Sequence, residues 1–189
     1  MTEENITDEI TEKQIKNIKS ADDFFKISSN LCKNSPDKDL KIFTTFWQYI
    51  PDEFLYDIYK EILCDKRRFK FHKQLFAPIV CEKIKTLNKD DILNNESLLS
   101  AADSEGFLTV YRGHTNPSSR TAASWTLNKN TAHWFGKRHA LLAGENQYYI
   151  LFGKVNIADI LTYITKMNED EIVVMSKYVI GKKREYFDF

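Results

Sequence analysis

From residue 1 to 105 apolar residues recur at three- and four-residue intervals, the period of a helix with one buried side. Ser20 and Asp23 resemble a capping box, and Phe24, Ile27 and Leu31 follow at helical spacing. Ser35-Pro36 makes an N-cap and first-turn pair, because proline lacks the amide hydrogen that has no partner there. Behind it Leu40, Phe43, Trp47 and Ile50 form one stripe. Pro51-Asp52-Glu53 opens another helix with Leu55, Ile58 and Ile62 on one side, and a fourth runs from Leu75 to Leu87 through Ile79 and Ile84. No glycine interrupts these segments, so none carries its backbone-entropy penalty. The pattern predicts a helical layer.

At Gly106 the period shortens. Phe107 to Tyr111 is a β-rich run closed by Arg112-Gly113-His114, and a polar loop from Thr115 to Ala123 contains Asn116-Pro117-Ser118-Ser119. Ser124 to Leu127 reads as a short second strand. Asn128 caps a helix through Thr131, Ala132, Trp134, Phe135 and Leu141, which Gly144-Glu145-Asn146 ends. Gln147 to Val155 is a third strand, and Ile157 to Ile164 a short helix or turn. After a loop from Thr165 to Asp170, Glu171 to Met175 reads as a buried strand, and Tyr178-Val179-Ile180 with Glu185-Tyr186-Phe187 as a last strand or hairpin around Gly181. The fold class is α+β, with a mixed or mostly antiparallel sheet behind the helical layer.

Composition adds a boundary. The 189 residues carry 27 basic and 27 acidic side chains, with 42% hydrophobic and 29% charged residues, which suits a globular chain and not a disordered one. The zero balance divides into 16 Lys/Arg against 20 Asp/Glu over 1–105 and 11 against 7 over 106–189. All six glycines fall in the second part. The expected division is a helical region, 1–105, part of which can pack into the second part, and a chemically active core, 106–189. Cys32, Cys64 and Cys81 form no Cys-x-x-Cys pair and read as reduced thiols. The acidic first residues do not resemble a signal peptide, and no apolar run is long enough to span a bilayer, so a cytoplasmic protein with no membrane partner is expected, in its own or a host cell.

Several groups carry candidate chemistry. Lys66, Arg67, Arg68, Lys70, His72 and Lys73 form a basic cluster that suits either a phosphate or nucleic-acid contact or a solvated helix end, and the acidic surroundings favour the latter. His114, His133 and His139 match no common zinc spacing, so no metal is expected. Arg112-Gly113 ends a β run with a fork of donors suited to phosphate and a residue that lets a ligand approach the backbone. Ser124 and Thr126 share one strand face. Glu169 and Glu171 share a face if their segment is extended, and crowded carboxylates raise each other's pKa.

Taken in order, Tyr111-Arg112-Gly113, Ser124-Trp125-Thr126 and Glu169-x-Glu171 resemble the Arg, Ser-x-Ser/Thr and Glu-x-Glu signatures of mono-ADP-ribosyltransferases of the Arg-Ser-Glu class. Thr131-Ala132-His133-Trp134-Phe135 is similar to the Ala-x-x-Phe helix of bacterial and phage members. The likeness covers residues 106–176. Thr126 stands where a second serine is usual, and the link between the first two motifs is only 113–123, so the elements usually between them are absent or displaced. The resemblance implies the ADP-ribosyltransferase fold and NAD as substrate, cleaved between ribose and nicotinamide, with ADP-ribose passed to a macromolecular acceptor, protein arginine foremost. It implies that Glu171 stabilises the oxocarbenium-like ribose, Glu169 serves the acceptor, Arg112 grips NAD, Gly113 offers backbone groups to nicotinamide and Ser124 orients Glu171. Thr126, Trp125, Trp134 and Phe135 are further candidates against the dinucleotide, though core packing is the stronger reading of the aromatics. Three other functions compete: an NAD glycohydrolase, an inactive transferase-like binding or inhibitory module, and a nucleic-acid ADP-ribosyltransferase using the 66–73 cluster. A toxin, a phage effector and an immunity factor would share these features.

Overall fold

The protein is described from a computed structural model, which covers residues 11–31, 37–64, 72–87, 89–115, 123–165 and 170–188. The chain divides into two compact units, Met1–Asn88 and Lys89–Phe189. The division falls before 105/106, so the acidic stretch 90–105, part of the helical region, lies in the same unit as the sheet. That relocation removes the charge asymmetry: residues 1–88 carry 15 Lys/Arg and 15 Asp/Glu, and residues 89–189 carry 12 of each.

The first unit contains α1 (Ala21–Leu31), α2 (Lys38–Phe46), α3 (Asp52–Cys64), α4 (His72–Leu75) and α5 (Pro78–Lys85). The capping box is present in altered form. Asp23 N–H donates to Ser20 Oγ at 3.3 Å, while the Asp23 carboxylate accepts from Lys19 N–H at 3.0 Å. Leu40, Phe43, Leu55, Ile58 and Ile62 are all buried, as the helical spacing predicts for α2 and α3, and Tyr59 is buried with them. Three expectations are corrected. Phe24 and Ser28 form the buried pair of α1, and Leu31 is exposed, because Ser28 Oγ donates to Asp39 and turns that side of the helix inward. The segment from Leu75 to Leu87 is not continuous, since Pro78 starts α5 and its ring cannot continue a preceding helix. Ile79 is therefore exposed, and Val80, Cys81 and Ile84 are the buried residues. Ser35-Pro36, Cys32 and residues 66–71 lie outside the described residues, as do the side chains of His72 and Lys73.

The second unit holds α6 (Asp90–Leu93), α7 (Glu96–Ala101), α8 (Lys129–Ala143) and a six-stranded sheet. Its strands are β1 (Phe107–His114), β2 (Ser124–Thr126), β3 (Gln147–Asn156), β4 (Thr162–Ile164), β5 (Glu171–Val173) and β6 (Ile180–Asp188), in spatial order β4-β5-β2-β1-β3-β6. Every pairing is antiparallel. Arg112-Gly113-His114, expected to close the first strand, lie within it. The 157–164 segment contains a strand, β4, which burial of all three of its residues hides from an alternation pattern. The last strand is one element and not a hairpin. Gly181 sits inside it at φ 61°, where the register against β3 shifts between Phe152 and Lys154.

Cross-strand partners point to the same face of a sheet, so one row runs across all six strands through Lys183, Phe152, Tyr111, Thr126, Glu171 and Ile164. Helix α8 packs on this face over β1 and β3. Its inward stripe is Ala132, Gly136 and Ala140, all buried; Trp134, for which core packing was the stronger reading, is exposed, as is Leu141. Small residues are needed because the helix backbone almost touches the strand. A Cβ on Gly113 would lie 1.8 Å from the Ala132 carbonyl oxygen, and one on Gly136 would lie 2.4 Å from the Tyr148 ring. Asn128 caps the helix by accepting from Asn130 N–H at 2.8 Å and Thr131 N–H at 3.3 Å, and Gly144 ends it at φ 70°. Among the described residues no helix is long and apolar enough to cross a membrane.

Gly113→Ala should destabilise the protein by about 3 kcal/mol or more, since the obstacle is backbone and cannot rotate away. Gly144→Ala, with nothing near the added methyl but a left-handed backbone, should cost only about 1 kcal/mol. Denaturant midpoints of the two variants check the ranking, and equal losses would contradict the packing account.

Candidate active site

Glu171 begins β5, directly opposite Thr126 of β2 and Ile164 of β4. Ser124 sits two residues back along β2 on the same face, and its Oγ donates to Glu171 Oε1 at 2.5 Å. The carboxylate is half-buried and the serine exposed, so this hydrogen bond lies at an open surface. Thr126 is buried, and its Oγ1 accepts from Asn128 N–H at 3.1 Å, which fixes the turn from β2 into α8. Of the two residues of the Ser-x-Thr motif, Ser124 is the one engaged with the carboxylate.

Arg112 reaches the same place from β1. Strand alternation assigns it to the opposite face from Tyr111, but β1 and β2 share the single register pair Tyr111–Thr126 and then part. The Arg112 guanidinium spans the gap and donates from Nη1 to the Ser124 carbonyl at 2.5 Å. Burial lowers the Arg112 pKa, and the nearby Tyr149 and Glu171 oppose that shift. Its Nε is buried and has no hydrogen-bond partner among the described residues. Arg112, Ser124 and Glu171, distant in sequence, thus form one connected group. An open groove of about 480 Å³ is lined by Tyr111, Leu127, Asn128, Lys129, Asn130 and Asp170; Tyr111 and Asp170 are chain neighbours of Arg112 and Glu171, which do not line it themselves. Lys129 is paired with Glu185 at 3.0 Å.

The other sequence candidates fall elsewhere. Gly113 is buried under α8, so its lack of a side chain serves the helix–strand approach. Trp125 points away from Glu171, is 2% exposed, and its indole Nε1 has no hydrogen-bond partner among the described residues. Trp134 is on the outer side of α8, with the Arg138 guanidinium 5.3 Å from its ring centre. Phe135 packs edge-on against Trp134 and stacks with His139. Glu169 lies outside the described residues. Cys64 is half-buried and Cys81 buried. Among the described residues no group of three or more His, Cys, Asp or Glu is placed to hold a metal ion.

Tyr163 and Asp170 carry no sequence signal that nominates them for a role. The Tyr163 hydroxyl donates to Asp170 Oδ1 at 2.9 Å, immediately before Glu171. Burial, then the bond to Asp170, pushes the Tyr163 pKa up to about 12, so it stays a donor through the neutral range. The run Glu169-Asp170-Glu171 signalled crowded carboxylates, but nothing pointed to the tyrosine because β4 was not legible. His114 and His139 stack at 5.0 Å between ring centres at the end of β1. His133 Nδ1 lies 2.9 Å from the Tyr148 hydroxyl.

Comparison with protein-family models, with curated proteins and with solved structures finds no match for the chain.

Burial, then the Arg112 charge, then His139, lowers the His114 pKa from 6.5 to about 4. The unfolded chain therefore binds a proton on His114 that the folded protein refuses between about pH 6.5 and 4. Its contribution to stability is complete above pH 6.5 and falls away as the pH drops through that window. Thermal midpoints measured across it should decline, and His114→Gln should flatten the decline. An unchanged slope in that variant would acquit His114.

Proposed function

We propose that the chain is an NAD-dependent mono-ADP-ribosyltransferase acting on a macromolecular acceptor, with protein arginine as the leading acceptor. The observation that carries the reading is the 2.5 Å bond from Ser124 Oγ to Glu171 Oε1, with Arg112 tied to the same serine. Those are the residues that the three ordered sequence signatures nominate, and they meet on neighbouring strands. Cleaving the bond between ribose C1′ and the nicotinamide nitrogen sends the bonding pair to neutral nicotinamide and leaves an oxocarbenium-like ribose. A fixed carboxylate beside that centre lowers the barrier by stabilising the positive charge as it develops. Glu171 takes that role and holds a ribose hydroxyl. Ser124 restricts the carboxylate to one orientation before substrate arrives. The acceptor nitrogen then forms the new bond to C1′ and gives up one proton, which Glu169 takes in the role the resemblance implies.

Arg112 has two duties in this scheme. One end of its fork holds the Ser124 carbonyl, and its positive charge beside the Glu171 carboxylate suits the diphosphate of NAD. The exposure of Ser124 also favours a second reading, NAD glycohydrolysis, in which water replaces the acceptor.

With NAD as the probe, Glu171→Gln should lower nicotinamide release by about 10²–10³-fold, and Ser124→Ala by roughly tenfold, the loss of about one orienting hydrogen bond. Radiolabelled NAD with agmatine or a protein mixture separates transfer from hydrolysis: label on an acceptor supports the transferase, and nicotinamide release alone supports the glycohydrolase. A wild-type protein that folds and neither binds nor cleaves NAD would sink both.

A further inference from the structure

Among the described residues Asp170 is the one residue other than glycine with a positive φ, 44°. L side chains adopt that backbone only where surrounding contacts hold it, although Asp and Asn tolerate it better than most. Two contacts hold it here. The Tyr163 hydroxyl donates to Asp170 Oδ1 at 2.9 Å, and Leu127 N–H donates to the Asp170 carbonyl at 3.3 Å. Tyr163 is itself fixed, being 6% exposed and registered opposite Ile172 of β5. The peptide that follows this turn is the first of β5, and it carries Glu171. No other hydrogen bond of the Asp170 carboxylate competes with the one from Tyr163 among the described residues.

We propose that Tyr163 is a positioning residue for Glu171, acting through Asp170: its hydroxyl holds the left-handed turn that aims the Glu171 carboxylate at Ser124. Without that bond Asp170 relaxes toward the extended region, the first residue of β5 rotates, and the Ser124–Glu171 hydrogen bond lengthens. The catalytic consequence rests on the proposed role of Glu171, whereas the positioning itself does not. The carboxylate charge of Asp170 has no part in it. What matters is an acceptor for the tyrosine on a backbone that tolerates positive φ.

A substitution series separates this from a general structural effect. Tyr163→Phe should lower kcat for nicotinamide release from NAD about tenfold with KM for NAD within twofold. Asp170→Asn, which keeps both an acceptor and tolerance of the turn, should stay within about threefold of wild type, and Asp170→Val, which excludes the turn, should lose at least as much as Tyr163→Phe. Glycine adopts the turn unaided, so Tyr163→Phe should cost little further rate when added to Asp170→Gly. The ¹³Cδ resonance of Glu171, read without NAD, should move in Tyr163→Phe and not in Asp170→Asn. Loss in Asp170→Asn equal to that in Asp170→Val would assign the carboxylate a chemical role and overturn the proposal. So would an unmoved Glu171 resonance in Tyr163→Phe, or a further tenfold loss when that change is added to Asp170→Gly. If wild type cleaves no NAD, the functional reading fails while the resonance still decides the positioning.

Discussion

The sheet is joined at its centre by very little. A three-residue strand, β2, connects the long strands β1, β3 and β6 to the short pair β4 and β5, and its registered pairing with β1 is one residue deep. The hydrogen bond from Arg112 to the Ser124 carbonyl spans the place where the two strands separate. A side chain there satisfies a backbone acceptor that strand pairing would otherwise satisfy. It also fixes Ser124 relative to β1, and through Ser124 the carboxylate of Glu171. The candidate site therefore depends on the same contact that holds the middle of the sheet together.

Neighbouring residues in β1 divide the work. Arg112 turns toward β2, while Gly113 makes room for the backbone of α8. Because α8 packs so closely, its inward stripe is Ala132, Gly136 and Ala140, and its larger apolar residues point elsewhere. The Arg-Gly pair looks like one ligand-binding motif when read as sequence. In the folded chain the arginine is tied to the Ser124 carbonyl and the glycine makes room for the backbone of α8.

The legible parts of the fold were those with local causes. The stripes of α2 and α3, the Asn128 cap, the Gly144 stop and the start of β1 each follow from a few adjacent residues, and each is present. The illegible parts had distant causes. β4 is buried throughout and shows no alternation, Ile79 is exposed because Pro78 restarts the helix immediately before it, and Trp134 faces outward because glycine and alanine occupy the contact. The charge asymmetry had the same origin. Carboxylates between 90 and 105 made the first part acidic only while the boundary stood at 105, and α6 and α7 fold with the sheet.

By itself the sequence determined an α+β chain, the positions of the longer helices α1, α2, α3 and α8, and the three signatures that nominate Arg112, Ser124 and Glu171. These are local matters of spacing, capping and residue chemistry. Only the tertiary structure decided that these three residues touch, that Thr126 braces a turn, that Trp125 is turned away, and that Tyr163 stands behind Asp170. Strand register decided them, since a shift of one residue exchanges the faces of a strand and no local pattern specifies which distant residue lies opposite.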